Sequence, residues 1–194
     1  MRARRLLSLL LLLQSRGHGT ARELADELGV SLRTVYRDLE ALFTWAAFAD
    51  REPELAAHGR RLLYPFGPAV GLGFLATTRG DGGPRVHPVC PAILGGGLYV
   101  FVIGHSPKRA DLARDGRYAL HFFPAAKDDE SFYCAGPARE VSDPRARAAA
   151  VPGFAHAVRD DEALFELRLA RALHTVWERP RTPETRPIYQ RWQA

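Results

Sequence analysis

Apolar residues recur at intervals of three and four over the first 42 residues, a spacing that is typical of amphipathic helices. A leucine-rich run opens the chain, and its apolar stripe continues at Leu24, Leu28, Val30, Val35, Leu39 and Leu42. Thr20 and Glu23 have the spacing of a capping box, and Gly29 is suited to end the helix that they begin. The pattern predicts three helices around one small core, with a tight turn between the last two.

The last of these helices, within Ser31 to Leu42, leaves polar side chains opposite the apolar stripe: Arg33, Thr34, Tyr36 and Arg37. In a helix-turn-helix the second helix enters the major groove, where Arg bonds guanine edges, Thr meets a thymine methyl group, and Tyr or Arg can bond phosphates. These four residues are therefore the predicted DNA-binding residues. A helical cap with surface arginines that merely packs on its neighbour is the alternative.

From residue 71 the pattern changes to short alternating runs with glycine turns between them, which predicts six or seven β-strands. Turns at residues 80–84 and 95–97 predict that the first three strands form an antiparallel meander. Helices are predicted from Pro107 to Arg114 and from about Pro144 to Val151. Many short strands with glycine turns favour a barrel.

Length and charge fit two units. The 194 residues suffice for one small domain and one of about 140 residues. The net charge is +5, with seven Arg against five acidic residues in residues 1–42 and four Arg against one Glu from residue 179 onward. Positive charge at the two ends suits a dimer that approaches DNA, although a generic basic surface would look similar.

The opening residues, MRARRLLSLLLLLQSRG, imitate a secretory signal. The leucine run is too short to span a bilayer and no small-residue cleavage site follows it, so we expect a cytoplasmic protein without a membrane segment. Cys90 and Cys134 are the only cysteines and form no CxxC motif, which indicates ordinary buried thiols more than a redox pair.

The segment HSPKRADLARDGR contains a candidate anion site. Ser106 can cap a helix, and Lys108 and Arg109 follow near its start. Free amides, the helix dipole, a hydroxyl and two cations at one point suit a phosphate monoester. A capped surface helix with solvated charges is the alternative.

The strand PRVHPVCP supports a ligand site nearby. Alternation places Arg85, His87 and Val89 on one face, and Val86, Pro88 and Cys90 on the other. Because unpaired buried charge is costly, a half-buried face with Arg85 and His87 favours an anionic or polar ligand. A structural salt bridge is the alternative.

Two stretches resemble known families. Residues 4–42 resemble the N-terminal helix-turn-helix of bacterial DeoR-type and related winged-helix repressors, chiefly through RTVYRDLEAL, although Phe43 leads into TWAAFADREPELAAHGRRLL without the usual wing. Residues 44–178 resemble the pyridoxamine 5'-phosphate oxidase-like family of flavin-binding split barrels. The segments that carry this second resemblance are TWAAFADREPELA, FLATTRGDGGPRVHPVCP, LYVFVIGHSPKRADLARDGRYALH and FYCAGPAREV.

The resemblance implies an α+β protein in which an N-terminal three-helix helix-turn-helix precedes an antiparallel split β-barrel. It divides the chain into a helix-turn-helix domain at residues 1–42, a flavin-binding barrel at 43–178 and a basic C-terminal tail at 179–194. It further implies a homodimer with FMN, or a deazaflavin, in the groove between subunits.

The same resemblance assigns residues to that ligand. Those along the flavin ring and ribityl chain are Arg85, His87, Pro88 and Val89, and those at the phosphate are Ser106, Lys108 and Arg109. The partner's strand around Phe132 and Tyr133 would cover the ring. The Arg-rich C-terminal signature of the true oxidase is missing, which argues against vitamin B6 synthesis.

Haem is a less favoured ligand, because spacing singles out none of the seven histidines: His18, His58, His87, His105, His121, His156 and His174. HExxH and comparable clusters are also missing from the sequence, so no metal site is predicted. No catalytic acid or base is predicted either, since a flavin itself supplies hydride chemistry.

Two main functions remain open. The first is a transcription regulator that binds double-stranded DNA and senses a flavin-type ligand through its dimeric barrel. The second is a flavin- or deazaflavin-dependent oxidoreductase with a vestigial helix-turn-helix. A barrel that has lost its cofactor and only dimerises the DNA-binding unit is a third explanation.

Overall fold

The N-terminal unit is a three-helix cluster. The computed structural model describes residues 5, 6, 8, 9, 11–13, 19–68, 70–122 and 129–194, without the side chains of residues 37, 40 and 41. The described residues from 5 to 13 are helical, and α1 (Ala21–Leu28) and α2 (Leu32–Leu42) follow. Their shared core contains Leu9, Leu24, Ala25, Val35 and Leu42. The three predicted helices are thus confirmed.

The ends of α1 are formed as the sequence predicts. The Thr20 hydroxyl accepts from the Glu23 amide at 3.3 Å, and the Glu23 carboxylate accepts from the Thr20 amide at 2.8 Å. Gly29 ends the helix in the left-handed region, with φ of 63°. The hydrogen-bonding groups at both ends of α1 are thus satisfied by nearby residues. The turn at Gly29 then sets the orientation of α2 relative to α1.

Two helices follow where a wing is usual, α3 (Trp45–Arg51) and α4 (Pro53–Leu63). The Thr44 hydroxyl accepts from the Ala47 amide at 3.2 Å and so begins α3. Trp45 lies in the core of the second unit, whereas Phe43 packs against the core of the first. The connection between the two cores is therefore very short.

Nine antiparallel strands form a curled half-barrel. They are β1 (Gly73–Thr78), β2 (Pro84–Val89), β3 (Ala92–Leu94), β4 (Gly97–Ile103), β5 (Arg117–Phe122), β6 (Glu130–Glu140), β7 (Glu162–Leu167), β8 (Arg171–Glu178) and β9 (Arg186–Gln193). Their order is β2-β1-β5-β6-β7-β4-β3, with β8 on β6 and β9 on β8. Helices α5 (Pro107–Asp115) and α6 (Pro144–Ala150) interrupt them, and Val151–Gly153 forms a 3₁₀ turn. The fold is α+β, as predicted.

The predicted meander is modified at Pro91. The hairpin between β1 and β2 and that between β3 and β4 both form, but the single predicted strand PRVHPVCPAIL is broken into β2 and β3. Proline has no amide proton for a sheet ladder, so it permits this break. At the same point a Cβ on Gly71 would lie 1.9 Å from the Pro91 carbonyl oxygen, so only glycine fits there.

Residues 186–193 form an element that the sequence analysis does not anticipate. The predicted basic tail instead contains β9, which pairs with β8 along its whole length. Trp192 is buried, and its ring centroid lies 4.9 Å from that of Phe48 in α3. The segment therefore belongs to the sheet and its core.

Aromatic rings fill the centre of the half-barrel. Phe122 and Phe132 are fully buried and stack with their centroids 4.9 Å apart. Phe132 is thus committed to its own chain's core, and the expectation that it covers a ligand of the partner subunit is wrong. Tyr133, on the opposite face of β6, is half-buried.

Both cysteines are free thiols. Cys134 is buried in the core, and burial raises the pKa of its thiol to about 12. This agrees with ordinary thiols and disfavours a redox pair. Among the described residues, no helix is long and apolar enough to cross a membrane.

Candidate DNA-binding and ligand-binding sites

Helix α2 presents a polar surface opposite its buried side. Ser31 begins the helix, since its hydroxyl accepts from the Thr34 amide at 3.2 Å. Val35 and Asp38 are buried, whereas Arg33 is exposed and Tyr36 is 57% exposed. This is the amphipathic arrangement that a reading helix needs.

The other two predicted DNA-binding residues differ from these. Thr34 is half-buried and its hydroxyl lies 3.0 Å from that of Ser31, so it is less open than predicted. The side chain of Arg37 lies outside the described part of the structure.

A buried ion pair holds α2 in place. The Arg5 guanidinium bonds the Asp38 carboxylate, with Nη2 3.2 Å from Oδ1 and with Nε close to Oδ2. Asp38 is only 1% exposed. The pair fixes the face that α2 turns outward, because the buried carboxylate must stay with its partner.

Strand β2 shows the predicted alternation. Arg85 and His87 are half-buried and Val89 is buried, whereas Val86 and Pro88 on the other face are exposed. Pro88 therefore lies on the opposite face of β2 from Arg85, His87 and Val89, the three other β2 residues assigned to the flavin.

Arg85 already has an acidic partner. Its Nε lies 2.6 Å from Oδ2 of Asp111 in α5, a carboxylate that is 3% exposed. Asp111 also accepts from the Thr77 hydroxyl at 2.9 Å and from Arg114 at 3.3 Å. Burial raises the pKa of Asp111, but its bonds to Arg85, Thr77 and Arg114 bring the pKa below its ordinary value. The structural salt bridge that the sequence leaves as an alternative is thus present at Arg85.

The start of α5 differs from the predicted cap. Ser106 occupies the capping position, but its hydroxyl donates to the Ile103 carbonyl at 2.7 Å and caps no amide of the helix. The predicted capping bond of Ser106 is wrong. The Ser106 side chain therefore accepts no hydrogen bond from the amides in the first turn of α5. Amides at a helix start that lack a side-chain acceptor can bind an anion.

Arg109 lies beside a groove of mixed charge, which Arg147 also lines. One of its terminal nitrogens is 3.0 and 3.3 Å from the two carboxylate oxygens of Glu140. A groove of about 550 Å³ runs beside this pair, and Asp161 and Glu162 also line it. The Glu140 carboxylate therefore balances the charge of Arg109, while Nε of Arg109 has no hydrogen-bond acceptor within the described residues.

Lys108 differs from the two arginines. Its side chain is half-buried, and no ion pair of its ammonium occurs within the described residues. Burial lowers the pKa of Lys108, while Glu162 and Cys90 oppose that shift. A partly desolvated cation without a partner is stabilised by an incoming anion.

The acidic partners of these arginines are not predicted by the sequence. Asp111 and Glu140 hold the two arginines, and neither was a candidate residue. For Asp111 a signal exists, because it precedes buried Leu112 and so lies near the apolar side of a helix that also contains three basic residues. Glu140 lies 31 positions from Arg109, and spacing offers no signal for it.

Comparison with known proteins supports the two-unit organisation. A family model described as an HTH domain matches residues 4–47. No curated protein matches the chain.

Solved structures share the fold of the remainder. The heme binding protein from Mycobacterium smegmatis is 23% identical with a TM-score of 0.50, over 69% of this chain and 57% of that one. The tagged HupZ protein from Group A Streptococcus is 14% identical with a TM-score of 0.51, over 60% of this chain and 90% of that one. Atu2129 (unknown function) from Agrobacterium tumefaciens is 18% identical with a TM-score of 0.50, over 63% and 57%.

The alignments with the mycobacterial and Agrobacterium proteins thus cover less than two thirds of those chains. At these identities the likeness concerns the fold alone. The chain combines an N-terminal helix-turn-helix domain with an antiparallel half-barrel of the split-barrel fold.

Proposed function

We propose that this protein is a DNA-binding transcription regulator whose half-barrel binds a flavin-type ligand, FMN or a deazaflavin, as a sensor. The main support for this proposal is the exposure pattern of α2 in the helix-turn-helix unit. Arg33 and Tyr36 are exposed, whereas Val35 and Asp38 are buried. A face that only packed on a neighbouring element would not leave a Tyr side chain 57% exposed beside an exposed Arg.

The short connection between the two units favours a sensor over a passive attachment. The Leu169 amide donates to the Phe43 carbonyl at 2.7 Å, which ties the end of α2 to the chain between β7 and β8. One residue separates Phe43 from the start of α3. A shift of the half-barrel core is thus transmitted to α2 without a flexible linker.

Unsatisfied polar groups near the start of α5 favour a ligand there. Lys108 lacks an ionic partner within the described residues, and Nε of Arg109 is buried without a hydrogen-bond acceptor in the same part of the structure. Buried polar groups are usually satisfied, so a ligand at this position would complete them. The family resemblance supports a flavin phosphate as that ligand.

The proposed regulator is a homodimer. Trp177 on β8 and Tyr189 on β9 share one face of the sheet and are 42% and 48% exposed, and Ile188, on the opposite face of β9, is 43% exposed. They supply apolar surface at the edge of the sheet. A dimer places two α2 helices at a fixed separation, as recognition of two half-sites requires. We place the boundary between the DNA-binding and ligand-binding units at Phe43.

The first experiment is an absorption and fluorescence spectrum of the full-length protein, with mass spectrometry of any released molecule. Fluorescence anisotropy with duplex DNA from the upstream region then follows, with and without that molecule. We expect a flavin or deazaflavin and an affinity for DNA that falls steeply with salt and changes with the ligand. Absent or salt-independent DNA binding would overturn the regulator.

The same spectrum tests the ligand class separately. A haem absorption band would replace the flavin in this proposal and leave the DNA-binding part intact. Turnover of a reduced flavin with no DNA binding at any salt concentration would favour the oxidoreductase instead.

A further inference from the structure

Three side chains from distant parts of the sequence meet beneath α4. His58 lies in α4, Glu130 begins β6 and His174 lies in β8. Nε2 of His174 is 2.8 Å from Oε2 of Glu130, and Nδ1 of His58 is 4.0 Å from the same oxygen. The two imidazole rings stack with centroids 4.2 Å apart at an angle of 18°.

Sheet register and one glycine explain this convergence. Glu130 pairs with Val176 and Phe132 with His174, so Glu130 and His174 are diagonal neighbours on one face of the sheet. A Cβ on Gly59 would lie 2.7 Å from the Phe132 ring, so glycine lets α4 approach β6 closely. His58, the preceding residue, is thereby held over the other two side chains.

The surroundings of His174 suit a metal ligand. It is 2% exposed, and its Nδ1 lies 3.3 Å from the side-chain oxygen of Gln190 in β9. A neutral imidazole that donates from Nδ1 presents a lone pair at Nε2. In that tautomer the lone pair faces the Glu130 carboxylate, 2.8 Å away, and a proton or a metal ion can lie between them. In metal-binding histidines, the ring nitrogen that does not bind the metal commonly donates a hydrogen bond that orients the ring.

We propose that Nδ1 of His58, Nε2 of His174 and the Glu130 carboxylate bind one divalent transition-metal ion, with Zn²⁺ as the best match. Two imidazoles and one carboxylate are a known three-ligand zinc set that leaves a fourth position open. The ligand atoms all lie within 4.8 Å of one another. In a tetrahedral site, zinc–nitrogen bonds of about 2.0–2.1 Å separate the ligand atoms by about 3.4 Å. The atoms that lie farthest apart must therefore approach by about 1.4 Å, while Nε2 of His174 and Oε2 of Glu130, 2.8 Å apart, must separate by about 0.6 Å. The stacked imidazole of His58 must also rotate, so that the lone pairs of both rings point at one ion.

The side chains that must move are the accessible ones. His58 is 39% exposed, and Arg61, whose Nη2 lies 2.5 Å from Glu130, is 48% exposed. Arg61 balances the Glu130 charge, and a bound metal ion takes over that role.

Three protein ligands leave the fourth position of a tetrahedral site open, and the exposed His58 side of the cluster gives access from solvent. A water molecule or a small anionic ligand can occupy it. The metal ion would also link α4 to β6 and β8, and thus join the helices that follow the DNA-binding unit to the sheet. This assignment does not depend on the proposed flavin ligand.

The test uses untagged full-length protein from which metal has been removed by a chelator and dialysis. Titration with Co²⁺ is followed by visible absorption, and Zn²⁺ binding by calorimetry. We expect one ion per chain, visible Co²⁺ bands of a tetrahedral site, and displacement of Co²⁺ by Zn²⁺. No binding by the wild-type protein overturns the proposal.

Variants locate the ion. His58→Ala and Glu130→Gln are expected to lower Zn²⁺ affinity at least tenfold, whereas His105→Ala removes an exposed histidine outside the cluster and should leave it unchanged. His58 lies at the surface end of the cluster, so its variant decides the question even where Glu130→Gln fails to fold. Equal affinity and stoichiometry in His58→Ala overturns the assignment.

Discussion

Nε of Arg85 in β2 lies 2.6 Å from Oδ2 of Asp111 in α5, and this ion pair joins the strand and the helix that contain most of the predicted ligand-binding residues. Asp111 is buried and collects two further donors, Thr77 and Arg114. The arginine that the sequence offers to an anionic ligand thus has a structural role. Its carboxylate partner, Asp111, links β1, β2 and α5.

Replacement of Asp111 by Ala should destabilise the protein by about 2–3 kcal/mol, because it removes the buried acceptor of several donors. The free energy of unfolding from urea denaturation, followed by circular dichroism, measures this. Glu178→Ala is the matched control, since Glu178 pairs with Arg186 at the surface, where ion pairs contribute little. A loss no larger than in the control would show that the Asp111 network is not stabilising.

Acid should weaken the protein partly through Asp111. The pKa of Asp111 lies below its ordinary value in the folded state, so the ionised carboxylate stabilises the fold at pH values above the unfolded-state pKa, near 4. As the pH falls further, toward the folded-state pKa, the unfolded chain binds the proton first and this stabilisation is lost.

The difference in unfolding free energy between wild type and Asp111→Asn should therefore be constant from pH 7 to about 5. It should shrink below about pH 4, with a slope of at most about 1.4 kcal/mol per pH unit. Urea titrations at several pH values measure it. A difference that grows toward acid pH would contradict the sign of this effect.

DNA affinity should depend on Arg33. Arg33→Ala is expected to weaken binding about five- to hundredfold where the side chain reads a base edge, or to reduce the salt slope by about one where it meets a phosphate. Anisotropy titrations at several salt concentrations distinguish the two. Arg145→Ala, which removes an exposed arginine of α6, is the control and should have no effect.

Ligand affinity should depend on Lys108. Lys108→Gln is expected to weaken FMN binding about tenfold or more, because a charge-assisted bond to the phosphate is lost from a partly buried position. Quenching of flavin fluorescence measures the dissociation constant. Arg145→Gln changes the net charge equally and should bind FMN as wild type does. Equal affinities of the two variants would exclude Lys108 from the phosphate site.

Local features of the fold were predictable from the sequence. The capping box of Thr20 and Glu23, the left-handed Gly29 and the hairpin turns depend on residues a few positions apart, and all of them form. The face shared by Arg85 and His87 follows from strand alternation alone.

Features that depend on distant pairing were not predictable. Asp111 lies 26 positions from Arg85, and Glu130 lies 44 positions from His174, so no spacing rule brings either pair together. The strand β9 reads as a basic tail because most of its residues are exposed and it lacks a clear alternation of apolar and polar positions. Only its pairing with β8 identifies it as a strand.

The burial of Trp192 against Phe48 has a consequence for synthesis of the protein. The helix-turn-helix core closes with residues up to Phe43, whereas the half-barrel core stays incomplete until Trp192 has emerged from the ribosome. The helix-turn-helix unit can therefore fold early, while the aromatic core of the half-barrel still lacks Trp192. Each new chain can thus pass through a stage in which the helix-turn-helix unit is formed and the half-barrel is not.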